Sequence, residues 1–319
     1  MGFYRLRGGV GSLCTERAAR FRPREAYEAI GVAKAAPGYL GPYRLHSIVH
    51  TGRVYQIWQA HDDAYNRMVG IKATLETFRN NHEQIGYLET EYAAGTDVIH
   101  PNVIGVYGYD SNEGCPYLVM EWFSAPNMRQ RIQQGVDKLA AVLPKVVVQA
   151  AEALTYVNWR GWIHRDVKPD NFLVGDDGTV KLIDFALAVR RPRGIRGWFA
   201  RRFASTPKVQ GTRSYMSPEQ IRGESLDQRA DLYSFACTVF ELFAGKPPFM
   251  GGADDVLNKH LKAPPPSLDA IVPGVTPELA QLIRRSMAKD PNARPESVAE
   301  FLREFRIMRY FRAAKSTNL

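Results

Sequence analysis

Residues 163–172 read Ile163-His164-Arg165-Asp166-Val167-Lys168-Pro169-Asp170-Asn171-Phe172, and residues 181–186 read Lys181-Leu182-Ile183-Asp184-Phe185-Ala186. Between the polar groups lie two apolar runs, Phe172-Leu173-Val174 and Val180-Lys181-Leu182-Ile183, with the length and composition of short strands. Paired as a small hairpin, they present the flanking loops at one mouth. Asp166 supplies a carboxylate able to orient a hydroxyl and Lys168 a cation, while Asn171 and Asp184 supply oxygen ligands of the kind hard divalent ions take. Transfer of a phosphoryl group needs these kinds of group together.

Outward from this stretch the chain divides in two. From Tyr43 to Phe123 the pattern favours strands at Tyr43–Val49, Val54–Ala60, Met68–Ala73, Val103–Tyr109 and Tyr117–Trp122, with one helical stretch near Asn80–Asp97. After Phe123 helical spacing takes over, at Leu143–Arg160, Asp231–Ala244, Pro277–Ala288 and Pro295–Tyr310. This predicts an α+β fold with a small strand-rich lobe (43–123) and a larger helical lobe (124–310). A basic extension and linker (1–42) and a basic tail (311–319) flank them. A length of 319 residues suits two lobes around a cleft.

The net charge of +9 is concentrated in three places: segments 1–42, 187–210 and 301–319 carry +4, +7 and +4, which leaves −6 on the remainder. An acidic core with basic attachments, lacking any recognised nucleic-acid module, predicts no specific nucleic-acid partner. The most apolar stretch, Leu232–Ala244, contains Glu241 and is too short to cross a bilayer, so it predicts a buried helix and no transmembrane segment is expected. Leu6 stands where a myristoylation signal following Met1-Gly2 has Ser or Thr, and no targeting signal is expected. Cys14, Cys115 and Cys237 are far apart with no CxxC spacing, which suggests neither a zinc site nor a disulfide framework and fits a cytoplasmic setting.

Residues 163–172 resemble the H-R-D-x-K-P-x-N catalytic loop of the eukaryotic-type protein serine/threonine kinase family, which has bacterial-like members, and residues 184–186 resemble its D-F-G metal loop. The resemblance covers about residues 43 to 310. It implies a two-lobed kinase fold in which Asp166 is the catalytic base, Lys168 touches the transferred phosphate, and Asn171 and Asp184 bind Mg²⁺, with Mn²⁺ as an alternative ion. Lys168 in this loop implies Ser or Thr as the acceptor. Val69-Gly70-Ile71-Lys72 resembles the V-A-I-K strand, whose lysine contacts the ATP phosphates and pairs with a carboxylate, here Glu91 with Glu89 as the alternative. The remaining ATP contacts are implied at Gly52, Ile57 and Leu173 and along the hinge Met120-Glu121-Trp122-Phe123, whose backbone groups would bond adenine, with Met120 at the back wall. Gly211–Glu219 resembles the segment that receives a substrate protein; Asp231 and Arg294 match two buried charged positions of the family's helical lobe, and the resemblance implies that Arg294 pairs with Glu219 in a structural ion pair.

The chain departs from the family pattern in three places. The phosphate-covering loop G-x-G-x-x-G reads His50-Thr51-Gly52-Arg53-Val54-Tyr55, so His50 and Tyr55 are expected to crowd it or cap it differently. Ala186 replaces the glycine of D-F-G, restricting that turn while leaving the Asp184 carboxylate intact. Gly95 stands where the family places an apolar side chain that packs towards Phe185 and His164, which predicts a gap there. These departures support an alternative reading, a pseudokinase that binds ATP or acts as a scaffold; the full set of charged residues opposes it.

The insert at 187–210 places Ile195, Trp198, Phe199 and Phe203 on one helical face among arginines. Such a stretch suits an anionic membrane surface, giving a peripheral location, or an acidic partner; the alternative is a segment packed on its own lobe. By resemblance Arg165 receives a phosphate, for which Ser205, Thr206 and Thr212 are the candidate sites, the first two by autophosphorylation.

Overall fold

The computed structural model describes residues 38–191 and 213–312. The first lobe is a six-stranded antiparallel sheet of β1 (Tyr39–Leu40), β2 (Tyr43–Thr51), β3 (Tyr55–Asp62), β4 (Arg67–Thr74), β5 (Val106–Asn112) and β6 (Cys115–Glu121), in the order β1-β2-β3-β4-β6-β5. Strand alternation gives the sheet two working faces. Ala60, Val69, Ile71 and Ala73 pack with Tyr43, Tyr117 and Val119 into a small core. The other face carries the paired Tyr55–Thr74, Ile57–Lys72 and Gly70–Met120 positions towards the cleft. Helix α1 (His82–Asp97) starts where Asn81 accepts a hydrogen bond from the Gln84 amide, and it packs on β5 and β6.

Two details differ from the sequence reading. Tyr39 and Leu40, expected in the linker, add an edge strand to β2. The turn between them is sharp because Gly41 has φ 57° and its Cα lies so close to Tyr117 that a Cβ would sit 2.6 Å from the phenol oxygen. The strand expected from Val103 begins only at Val106, because Val103 instead bridges Leu182 of the second lobe.

In the second lobe, α2 (Met128–Gln133) and α3 (Leu143–Trp159) precede two small antiparallel pairs, β7 (Trp162–Ile163) with β10 (Val189–Arg190) and, between them in sequence, the hairpin of β8 (Phe172–Val174) with β9 (Val180–Leu182). After residue 213 come α4 (Pro218–Ile221), α5 (Gln228–Ala244), α6 (Ala253–Lys262), α7 (Pro277–Ser286) and α8 (Val298–Ile307). Helix α5 is the apolar stretch picked out above and is buried throughout Ala230–Phe243, which explains why it shows no polar face. It begins three residues earlier than expected because Asp227 caps it, accepting from the Arg229 amide. Phe235 and Phe240 of α5 join Leu154 of α3, Leu279 of α7 and Phe301 and Phe305 of α8 in the main core. Among the described residues no helix is long and apolar enough to cross a membrane. The insert motif from Ile195 to Phe203 and the candidate sites Ser205, Thr206 and Thr212 lie outside the described residues.

Candidate active site

The catalytic-loop segment is bent into place from below. Asp231, buried in α5, accepts from the His164 and Arg165 amides at 2.9 Å each and from Asn158 Nδ2 at 2.9 Å. With its backbone held there, Arg165 takes φ 67°, a left-handed conformation that a non-glycine residue needs support to keep. The turn aims Asp166 upward, where its Oδ2 accepts from Lys168 Nζ at 2.6 Å and from Asn171 Nδ2 at 3.2 Å. Asn171 Nδ2 also donates to the Asp166 carbonyl at 2.7 Å, which fixes the amide so that its donors point at Asp166 and its Oδ1 points elsewhere.

Asp184 reaches the same place from the β8–β9 hairpin. The Ile183 amide donates to the Asn171 carbonyl at 2.9 Å and brings the two segments side by side. Asp184 Oδ1 accepts from Lys72 Nζ at 3.2 Å, so strand β4 of the first lobe and the hairpin of the second meet at this contact. Lys72 Nζ also donates to Glu91 Oε2 at 2.6 Å; both side chains are buried, whereas Glu89 faces solvent. Glu91 is therefore the lysine's partner. Burial opposes the Lys72 ammonium, but the Asp184 and Glu91 carboxylates outweigh it and raise its pKa. Burial likewise opposes the Asp184 carboxylate, and the Lys72 charge reverses this and holds its pKa below the usual range. Glu91, more deeply enclosed, is pushed up to about 7 by burial, with Lys72 opposing and Asp184 adding to the rise.

Mg²⁺ is usually held by one or two protein oxygens with phosphates and water completing the shell. Asn171 Oδ1 and Asp184 Oδ2 are suited to that: their neighbouring atoms Nδ2 and Oδ1 carry the protein hydrogen bonds, and the two residues sit on adjoining segments. Ala186 is compatible with this arrangement because the left-handed residue of the loop is Asp184, at φ 66°, and not residue 186. Phe185 is buried with its ring 5.0 Å from His164, whose Nδ1 accepts from the Asp166 amide and whose Nε2 faces the Ile183 carbonyl at 3.3 Å.

The expected gap at Gly95 does not exist. A Cβ there would lie 2.2 Å from Val106 Cγ2, so the β5 valine fills the volume from the opposite side. Gly70 is similar: a Cβ would meet Met120 Cγ at 3.2 Å. Along the hinge, Glu121 donates its amide to the Gly105 carbonyl at 2.7 Å, while its carboxylate pairs with Lys181 at 2.7 Å and accepts from the Gly105 amide at 3.0 Å. That pins the hinge to β9. Ile57 and Leu173 stand on β3 and β8 at the upper and lower sides of the cleft, and Phe123 follows β6 at the hinge. In the loop itself Gly52 donates to the Tyr55 carbonyl at 2.9 Å in a tight turn, and His50 is exposed.

Arg294 and Glu219 pair as expected, with two bonds of 2.7 and 2.8 Å; Arg294 also donates to the carbonyls of Ala288, Arg229 and Lys289. Sequence reasoning missed a second network. Arg129 of α2 bonds Glu241, Tyr215 and Asp170, and Tyr215 bonds Glu241, tying the receiving segment to the catalytic loop. Glu241 in an otherwise apolar run was its one visible sign, since a buried carboxylate requires a partner.

A strand-rich lobe and a helical lobe joined at a lysine–glutamate–aspartate contact make this a two-lobed kinase fold. The chain belongs to the protein kinase domain family, whose pattern matches residues 43–305. It is 31% identical over 265 residues to a probable serine/threonine-protein kinase of Streptomyces coelicolor, covering 82% of this chain and 39% of that one. It is 33% identical over 268 residues to the serine/threonine-protein kinase PknJ of Mycobacterium tuberculosis, covering 81% and 44%. The chain thus spans less than half the length of these two relatives. The crystal structure of the Mycobacterium tuberculosis PknI kinase domain shares the fold, with a TM-score of 0.63 and 24% identity over 86% of this chain and 99% of that one.

Proposed function

We propose that the chain transfers the γ-phosphate of ATP to Ser or Thr hydroxyls of a protein substrate. The observation that carries this is the convergence of Lys72, Glu91 and Asp184 within 2.6 and 3.2 Å, beside the Asp166–Lys168–Asn171 cluster. Lys72, held straight by Glu91, meets the α- and β-phosphates; Asp166 accepts the hydroxyl proton and aims its oxygen at the γ-phosphorus; Lys168 balances charge on the transferred group. The new P–O bond forms as the bond to the β-phosphate oxygen breaks, and ADP leaves. Mg²⁺ held by Asn171 and Asp184 would neutralise phosphate oxygens. Adenine is received by the Glu121 carbonyl and Phe123 amide between Ile57 and Leu173.

Arg165, whose buried Nε has no hydrogen-bond partner among the described residues, is the proposed receiver of a phosphate on Ser205 or Thr206. The basic insert is the proposed docking element for an acidic partner or an anionic membrane on the cytoplasmic side. The test is transfer of labelled γ-phosphate to the protein itself and to a generic basic protein, beside Asp166→Asn, followed by mapping of the modified residues. Transfer lost by at least 10²-fold in the variant is expected, with label within 203–214. Nucleotide binding without transfer in the parent would establish the scaffold reading instead.

A further inference from the structure

Tyr55 occupies the position of the third glycine in the phosphate-covering loop, where the family pattern has no side chain. Strand register places it on the cleft face of β3, opposite Thr74 and two residues before the Ile57–Lys72 pair. Its hydroxyl donates to the Gln84 carbonyl in the first turn of α1 at 2.7 Å, with Gln84 Oε1 a second acceptor at 3.3 Å. Its ring lies 5.0 Å from Lys72 Nζ. One side chain therefore touches the loop hairpin, the nucleotide lysine and the helix that carries Glu91. Burial raises the pKa of the phenol, which keeps it a donor at neutral pH.

We propose that Tyr55 is a positioning residue that straps the phosphate-loop hairpin to α1, so that the Lys72–Glu91 pair is set through the loop itself. Helix α1 packs on β5 and β6, at the far side of the sheet from the loop. A bond from β3 to its first turn supplies what that packing does not, a direct link between loop position and helix position. The ring adds a cation–π contact to Lys72 beside its bonds to Glu91 and Asp184. Glycine at this position provides neither contact. The degenerate loop has exchanged close backbone approach for a link to the helix.

The inference rests on the kinase reading for its effect on rate but not for its geometry, and the experiment separates the two. Tyr55→Phe keeps the ring and removes the bond to Gln84. In nucleotide-free protein, amide hydrogen exchange across residues 84–91 should accelerate about fivefold, the worth of one net hydrogen bond, while amides of α5 keep their protection. In steady-state assays Tyr55→Phe should lower kcat/KM for ATP about fivefold in the parent and less than about twofold in a Glu91→Gln background, because the strap acts through the pair. Unchanged exchange in α1, or the same loss in both backgrounds, would overturn the proposal. The exchange measurement decides it even for a protein that transfers nothing.

Discussion

Replacing Gly95 by alanine ought, on helix propensity alone, to stabilise α1 by about 1 kcal/mol. The packing of α1 on β5 predicts the opposite. The new Cβ would stand 2.2 Å from Val106 Cγ2 and 2.9 Å from Val106 Cβ, and a β-branched side chain on a strand cannot swing away as a lysine or methionine would. Forcing a methyl group into such a contact costs about 1–3 kcal/mol, so the net change is a destabilisation of roughly 0–2 kcal/mol. The decisive quantity is the coupling. Val106→Ala alone should cost about 1.5 kcal/mol for two methyl-sized losses; in its background Gly95→Ala loses the 2.2 Å contact with Cγ2 and keeps the 2.9 Å contact with the remaining Cβ, so part of the clash is relieved and a favourable coupling of about 1 kcal/mol is expected. Urea unfolding of the four proteins measures it. Gly95→Leu, which restores the family's apolar residue, is expected to be worse than Gly95→Ala. Glu91 is one turn earlier on the same face of α1, so the displaced helix should also lower the transfer rate. Additivity of the two substitutions within about 0.5 kcal/mol would refute the claim that Val106 fills the glycine's space.

Two further outcomes follow from buried polar groups. Glu219→Gln leaves the fully enclosed Arg294 guanidinium without its counter-charge and should cost about 3–5 kcal/mol in denaturant unfolding; the joint change Glu219→Leu with Arg294→Met should recover much of that loss. Asp231→Asn replaces one of the two acceptors that hold the His164 and Arg165 amides, stranding a buried donor at about 1–3 kcal/mol. Steady-state kinetics should then show a lower kcat with KM for ATP nearly unchanged, since Lys72 and the hinge belong to the other lobe.

The polar site was legible in the sequence because its chemistry restricts residue type at close spacing. Asp166, Lys168 and Asn171 fall within six residues, and the 2.6 Å contact of Lys72 with Glu91 agrees with the partner preferred over Glu89. The Arg294–Glu219 pair was legible through the family resemblance, and the enclosed guanidinium explains physically why that position needs a carboxylate partner. What escaped was everything decided by volume or by backbone shape. Val106 lies eleven residues from Gly95 on a different element, and nothing in either segment announces that one fills the other's space. The restriction expected at Ala186 depended on which residue of that loop takes positive φ, and that residue is Asp184. The Arg129 network joins positions as far apart as 129 and 241, and only Glu241 hinted at it.

The departures from the family pattern share a physical logic. At Gly95 and Val106, and again at Gly70 and Met120, one position is small because its neighbour across the contact supplies the volume. Close packing constrains the sum of the two side chains and leaves the division between them free. A charged group has no such freedom, since a carboxylate two residues away cannot stand in for Asp166 or Asp184 without moving the charge relative to the phosphates. A glycine missing from the loop or the helix is therefore weak evidence of lost chemistry unless its partner position is read with it. Tyr55 and Gln84 extend this from volume to hydrogen bonding: the loop lost a glycine and the helix gained a bond. On this reasoning, the retained polar groups carry the functional conclusion, and the altered packing residues bear on how the two lobes and α1 are held in register.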